Sequence, residues 1–246
     1  MSTTALEAAE ELEARQIGQL EEQFIQRSQL YHLADGVLQP TNRPPGVRVL
    51  MKEDPRLPAM PKAPTLIDFF KLRFSAGQQH LLQSARLARN NGLPDKMVLA
   101  CLLHDIAVIG FIRAEHGYWG AQLLEPYVDE EVSWAIRMHQ VMKFFPDEAI
   151  GYEYPQAYVQ MFGADFEPEP YAVAEYERAR DHKWYLSARI ICLNDEYSFD
   201  PGMHLEIEEF EDVIGRHFKQ PKEGLGNDNS PSAHMWRTLR RPCSAL

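Results

Sequence analysis

Beyond Thr65 the apolar positions recur at helical spacing and strand-like alternation is scarce, so the pattern predicts an all-α protein. A short helix carries Leu66-Ile67-Asp68-Phe69-Phe70, and a longer one runs from about Ser75 to Asn90. The second ends in Asn-Asn-Gly at Gly92, a sequence suited to a helix C-terminus. Pro94 then opens PDKMVLACLLHDIAV, since the first turn of a helix tolerates proline. HGYWGAQLLEPYV and DEEVSWAIRMHQVMKFF predict two more helices, the latter with acidic residues in its first turn. Trp184 to Tyr197 and Met203 to His217 complete the set.

The two ends of the chain break this pattern. Residues 4–33 read as a helix with Leu6, Leu12, Leu20, Phe24 and Leu30 among its apolar positions, but its apolar face is irregular and heavily charged. Such a face suits a partner surface, and a homo-oligomer through this N-terminal helix is the assembly it suggests. From Gly36 to Pro64 seven prolines exclude a continuous helix, which predicts an extended arm around the domain. From Gln220 the chain turns polar and bears Gly, Pro and Ser, which reads as a mobile tail or an oligomer arm. The expected division is thus residues 1–65 as N-terminal helix and arm, 66–219 as the helical domain and 220–246 as a polar C-terminal tail.

Composition narrows the function classes. With 246 residues and 45 % hydrophobic content the chain can bury one substantial core. A net charge of −11 and a pI of about 5.3 argue against a nucleic-acid surface or a polybasic membrane patch. The N-terminus lacks the apolar core of a signal peptide, and no apolar run is long enough to span a bilayer. Three scattered cysteines, Cys101, Cys192 and Cys243, do not make a disulfide framework. A cytoplasmic protein acting on a small molecule, with neither nucleic acid nor membrane as partner, is expected.

The candidate chemistry lies in histidines and aspartates. His80, His104 and His139 each fall on a predicted helix among apolar neighbours, His116 opens a helix, and Asp105 follows His104 directly. Asp195 shares its helix with Ile190, Ile191 and Leu193. One histidine on an apolar face is usually a satisfied core residue, and a His-Asp dipeptide alone means nothing. Together, imidazoles and carboxylates converging from several helices are how bundles hold metals, and a carboxylate on an apolar helix is costly to bury without a cation. Four imidazoles and two carboxylates without a thiolate suit iron, manganese or zinc. Asp105 is placed to bridge two ions, and six ligands leave open coordination positions, which favours catalysis.

The order H…HD…H…H…D resembles the HD superfamily in its two-metal form, from about Phe70 to Pro201. It is most similar to the mixed-valent diiron oxygenases, namely the phosphonate-cleaving HD oxygenases and, more distantly, myo-inositol oxygenase. His80-Leu81-Leu82-Gln83 matches the second half of their Gln-x-x-His-x-Leu-Gln stretch, with Gly77 in place of its first glutamine. His139-Gln140-Val141-Met142-Lys143 resembles their lysine-bearing His segment, and Glu115-His116 with Gly120-Ala121 their third-histidine helix. The resemblance implies an HD-domain helical bundle, two iron ions and O2 as co-substrate. It gives His80, His104, Asp105 and Asp195 to one iron and Asp105, His116 and His139 to the other.

Departures from the family pattern concern the substrate. Phe70 and Arg73 stand where phosphonate-cleaving relatives place a tyrosine and a glutamate, the Leu-Gln-Gly-Gly phosphonate segment is absent, and an arginine before the last aspartate is missing. The metal site carries over and the phosphonate substrate does not. Lys143, one turn beyond His139, is the candidate anion contact, against its plainer reading as a solvated helix-end lysine. Arg73, Gln83 and Phe70 are further substrate candidates, and Ala107, Val108, Ile109 and Phe111 read as core or as an apolar pocket wall. The expected activity is oxidative cleavage of a C–C or C–heteroatom bond in a small polar, hydroxylated or anionic substrate. The alternative is a two-metal HD phosphohydrolase acting on a nucleotide or phosphate ester, and the absence of a cation just after His-Asp weighs against it.

Overall fold

The computed structural model describes residues 57–74, 77–110, 115–163, 165–196 and 198–240. The expected helix over 4–33, the assembly through it, Phe111 and Cys243 lie outside the described residues. Among those residues the fold is helical, with a lone antiparallel bridge between Asp147 and Tyr152 and no strand. None of the described helices is long and apolar enough to cross a membrane.

The first helix, α1 (Leu66–Leu72), starts where Thr65 and Asp68 satisfy each other. The Asp68 amide donates to the Thr65 hydroxyl, and the Asp68 carboxylate accepts from the Thr65 amide at 2.8 Å. Leu66, Phe69 and Phe70 form its buried face. The next, α2 (Gln78–Asn90), ends as the Asn-Asn-Gly sequence predicts. Gly92 has φ +69°, its amide reaches the Arg89 carbonyl, and the Leu93 amide reaches that of Ala88. This is a Schellman closure, which favours glycine because a side chain is strained at that φ.

Pro94 caps α3 (Asp95–Leu103), its carbonyl accepting from the Met97 and Val98 amides. Every residue from Met97 to Leu103 is buried, as befits a helix apolar on all sides. Packed against this central rod are α2, α6 (Glu130–Met142), α9 (Tyr185–Glu196) and α10 (Glu211–His217). After the rod the chain bends at His104-Asp105, makes α4 (Ile106–Gly110), and re-enters at α5 (His116–Leu124). The crossing of α5 on α6 is close because Gly117 has no side chain: a Cβ there would lie 2.8 Å from the Arg137 carbonyl oxygen. Beyond α6 come α7 (Gln156–Phe162) and α8 (Pro170–Ala179), and a 3-10 turn (Ile207–Phe210) leads into α10.

The C-terminal segment corrects the expectation of a mobile tail. Residues 219–240 return to the domain and finish in α11 (Ala233–Arg240). Trp236 is fully buried, its ring 4.8 Å from that of Phe69, and its indole N–H donates to the Leu123 carbonyl. The Leu225 amide donates to Pro64, and Gly224 abuts Ala63 so closely that a Cβ would meet its backbone at 2.4 Å. Polar composition hid this docking because Met235, Trp236 and Leu239 are enough to make one buried stripe. Residues 57–64 run without helix beside this segment, Leu57 and Met60 buried, with the Pro58, Pro61, Lys62 and Pro64 carbonyls accepting bonds.

Candidate metal centre

Five helices deliver the six residues to one place. His80 comes from the first turn of α2, His104 from the end of α3, and Asp105 from the bend that follows. His116 is the first residue of α5, while His139 and Asp195 lie in the last turns of α6 and α9. Two groups form: His80, His104, Asp105 and Asp195 in one, Asp105, His116 and His139 in the other, the ligand atoms within each lying within 4.8 Å of one another.

Asp105 is common to both groups, and its Oδ1 reaches both, lying also 3.8 Å from His104 Nε2. Oδ1 lies 3.1 Å from His116 Nε2 and 3.3 Å from His139 Nε2, while Oδ2 lies 3.7 Å from His80 Nε2. Asp195 Oδ1 lies 2.9 Å from His80 Nε2 and 3.4 Å from His104 Nε2.

The far side of three imidazoles fixes their tautomers. His104 Nδ1 is 2.7 Å from the Cys101 carbonyl and His139 Nδ1 is 2.6 Å from that of Ile136, so each Nδ1–H donates one helical turn back. The Ser198 hydroxyl donates to the Asp195 carbonyl at 2.6 Å and thus accepts from His80 Nδ1–H at 2.8 Å. All three rings therefore turn an Nε2 lone pair inward. His80 Nε2 and His104 Nε2 face each other at 3.2 Å, and two lone pairs at that separation repel unless a cation lies between them. The donor set fits a bound metal ion at each group.

The charges agree. Burial alone would raise the Asp105 and Asp195 carboxyls, but Lys143 and His104 outweigh it and hold both well below the usual carboxylate range. Burial, with Lys143 beside it, pushes His139 down to about 3, keeping that imidazole neutral. For His104 burial opposes protonation, but Asp105 and Asp195 prevail and raise it, an expression of the site's demand for positive charge. Deprotonated carboxylates and neutral imidazoles are the forms that ligate.

Lys143 caps α6, is buried, and pairs its ammonium with Asp195 Oδ2. Burial would lower its pKa, and the two aspartates raise it well above the ordinary value. The structure thus puts the expected anion contact at the cluster instead of in solvent. The other three substrate candidates make packing and hydrogen-bond contacts within the fold. Phe70 is buried against Phe74, ring centroids 5.5 Å apart. Arg73 is buried and donates to the Arg240, Pro58 and Leu72 carbonyls, fastening the C-terminal segment. Gln83 gives its amide N–H to the Asp200 and Met203 carbonyls and accepts from the Asp200 amide. Gln79 brackets Leu205 in the same way, so the two glutamines staple the loop after α9 onto α2. Ile106 and Ala107 are fully buried in the bend after the His-Asp pair.

Sequence reasoning missed Ser198, whose position three residues past Asp195 at the end of a polar-tipped helix was the available signal. It also missed Cys192, whose thiol donates to the His139 carbonyl, and the buried Arg189. Arg189 donates to the Met142 and Phe145 carbonyls and so caps the helix that carries His139 and Lys143.

Compared with known proteins, residues 78–200, half of the chain, match the family model of the HD domain. All six clustered residues lie inside that span. No curated protein matches the chain.

Proposed function

The chain belongs to the HD-domain family, a family of metal-dependent enzymes, and from that premise we propose that it is a diiron oxygenase. It cleaves a C–C or C–heteroatom bond of a small hydroxylated or anionic substrate with O2. His80, His104, Asp105 and Asp195 hold one iron, and Asp105, His116 and His139 hold the other. When bound, the irons supply activation of O2 and of a substrate hydroxyl, chemistry no side chain provides.

The observation that carries the reading is the division of Asp105 between two ligand groups, which is how one carboxylate couples two ions. The Nδ1–H donors of His104 and His139 fix ring orientation. Lys143 holds a substrate anion and offsets the charge that two carboxylates bring into a buried site. Leu103 and Ile106, which flank His104-Asp105 in the chain, are fully buried, which keeps this part of the chain away from water.

Phosphohydrolysis is the second reading, because six ligands around a shared aspartate would equally hold two ions that activate water. Against it stands the bend after His-Asp, where buried Ile106 and Ala107 take the place a phosphate-binding cation would need. The test is metal analysis with low-temperature EPR on anaerobically iron-loaded, partly oxidised protein. A coupled mixed-valent signal is the expected result. Two equivalents of manganese or zinc with no such signal would move the assignment to hydrolysis. In the same protein Lys143→Ala retains both metals and weakens substrate binding at least about tenfold, the loss of one charge-assisted contact.

A further inference from the structure

Two aromatic flanks adjoin the centre. Beside His80, Phe199 stacks on the imidazole, ring centroids 4.3 Å apart and planes 15° from parallel, yet the ring is 70 % exposed. Beyond Lys143, Phe144 packs with Tyr158, Phe162 and Phe166 at 5.4–6.3 Å between centroids. Phe144 directly follows Lys143, whose ammonium pairs with Asp195, so this cluster adjoins the ligand set. It ends at the surface, where Phe162 is 44 % and Phe166 is 37 % exposed. Exposed rings contiguous with a polar, buried centre are the lining expected of a ligand site with an apolar portion.

The charge along this path is one-sided. From Phe144 to Glu177 the chain holds no Lys or Arg, and it carries Asp147, Glu148, Glu153, Asp165, Glu167 and Glu169 among others. Along this stretch a polyphosphate leaving Lys143 would meet carboxylates and rings, and residues 144–177 supply no cation for its second and third charges. A single anionic head followed by an apolar tail has no such conflict.

Resting on the reading of the centre as a metal-dependent active site, we infer that the substrate is an amphipathic monoanion. Its head sits between the metals and Lys143, and its alkyl or aryl tail lies on the Phe144–Tyr158–Phe162–Phe166 path with Phe199 on the opposite flank.

The experiment is titration calorimetry of the full, metal-loaded chain with two straight-chain monoanionic series, 2-hydroxy acids and alkyl sulfonates, from two to ten carbons. Affinity rises about two- to fourfold per added methylene until the path is filled. Phe162→Ala and Phe199→Ala flatten that rise, while metal content and the affinity for the two-carbon member stay unchanged. The series that binds more tightly at equal tail length identifies the head. No binding at any length, affinity independent of chain length, or a rise untouched in both variants overturns the inference. A retained rise without the mixed-valent signal would instead overturn the oxygenase reading alone.

Discussion

The metal centre has a locked half and an open half. His104 and His139 are completely buried, and each is tied to a carbonyl of its own helix one turn back. His80 and His116 keep about a seventh of their side-chain surface exposed (15 % and 14 %) and depend on other segments. His80 relies on Ser198 in the loop after α9, and His116 follows Glu115, whose backbone sits at φ +53°, a strained setting for a side-chain-bearing residue. The locked half derives its geometry from helices that would form anyway. The open half derives it from loops, where a site can admit and adapt to a ligand.

Four experiments bear on this contrast. Asp105→Ala has the largest effect: the residue serves both groups, so both metal equivalents and all activity are lost, as read by elemental analysis. If one full equivalent remains, Asp105 does not bridge. The second compares halves directly. In metal-free protein His139→Ala costs about 2–4 kcal/mol of unfolding free energy by denaturant titration, because a fully buried ring is removed. His116→Ala at the rim costs less than about 1 kcal/mol. Equal losses would erase the distinction.

The third uses pH. His139, at about 3 when folded against an ordinary 6.5, binds its proton more readily in the unfolded chain. Its contribution is full above about pH 6.5 and is lost as pH falls toward about 3, and the depressed Asp105 and Asp195 lose theirs in the same direction at lower pH. The raised His104 works oppositely, adding stability below its unfolded value that is lost as pH rises. Metal-free protein therefore loses thermal stability on acidification below about pH 6, and His139→Ala flattens that slope. A slope unchanged in the variant would deny His139 its part. Smallest is Ser198→Ala, which frees the His80 ring and weakens metal affinity of the first group about 10–100-fold, leaving the second group unchanged. Equal weakening at both groups would mean that the two groups are not independent.

Local signals and long-range ones differed in how far the sequence revealed them. The apolar spacing of α3, the Asn-Asn-Gly stop of α2 and the six histidines and aspartates could be read because each depends on neighbours within a few residues. The His-Asp bend was hidden inside a pattern that looked like one continuous helix, since Ile106 and Ala107 keep the apolar spacing going. The contacts of Gln83 and Arg73 were hidden for a different reason. Gln83 bonds backbone groups 117 and 120 residues away, and Arg73 reaches a carbonyl 167 residues away besides those of Pro58 and Leu72. A backbone group carries no sequence identity. Arg189 escaped notice likewise: beyond Tyr185 one turn back, its surroundings, the Tyr152 and Tyr176 rings, assemble only in three dimensions. Trp236 could have been read, because it sits on a short helical stripe, but the polar residues around it dominated the impression.

The seam between residues 57–73 and 219–240 also has a kinetic meaning. Its bonds join positions such as Arg73 and Arg240, 167 residues apart, whereas the α2–α3 hairpin closes over a four-residue turn. Closing so long a loop costs chain entropy before any contact returns it, so the hairpin belongs to the early nucleus and the seam to the final step of folding. A step absent from the transition state controls how fast the protein comes apart. Trp236, seated in that seam, governs the lifetime of the native state more than the speed at which it is reached.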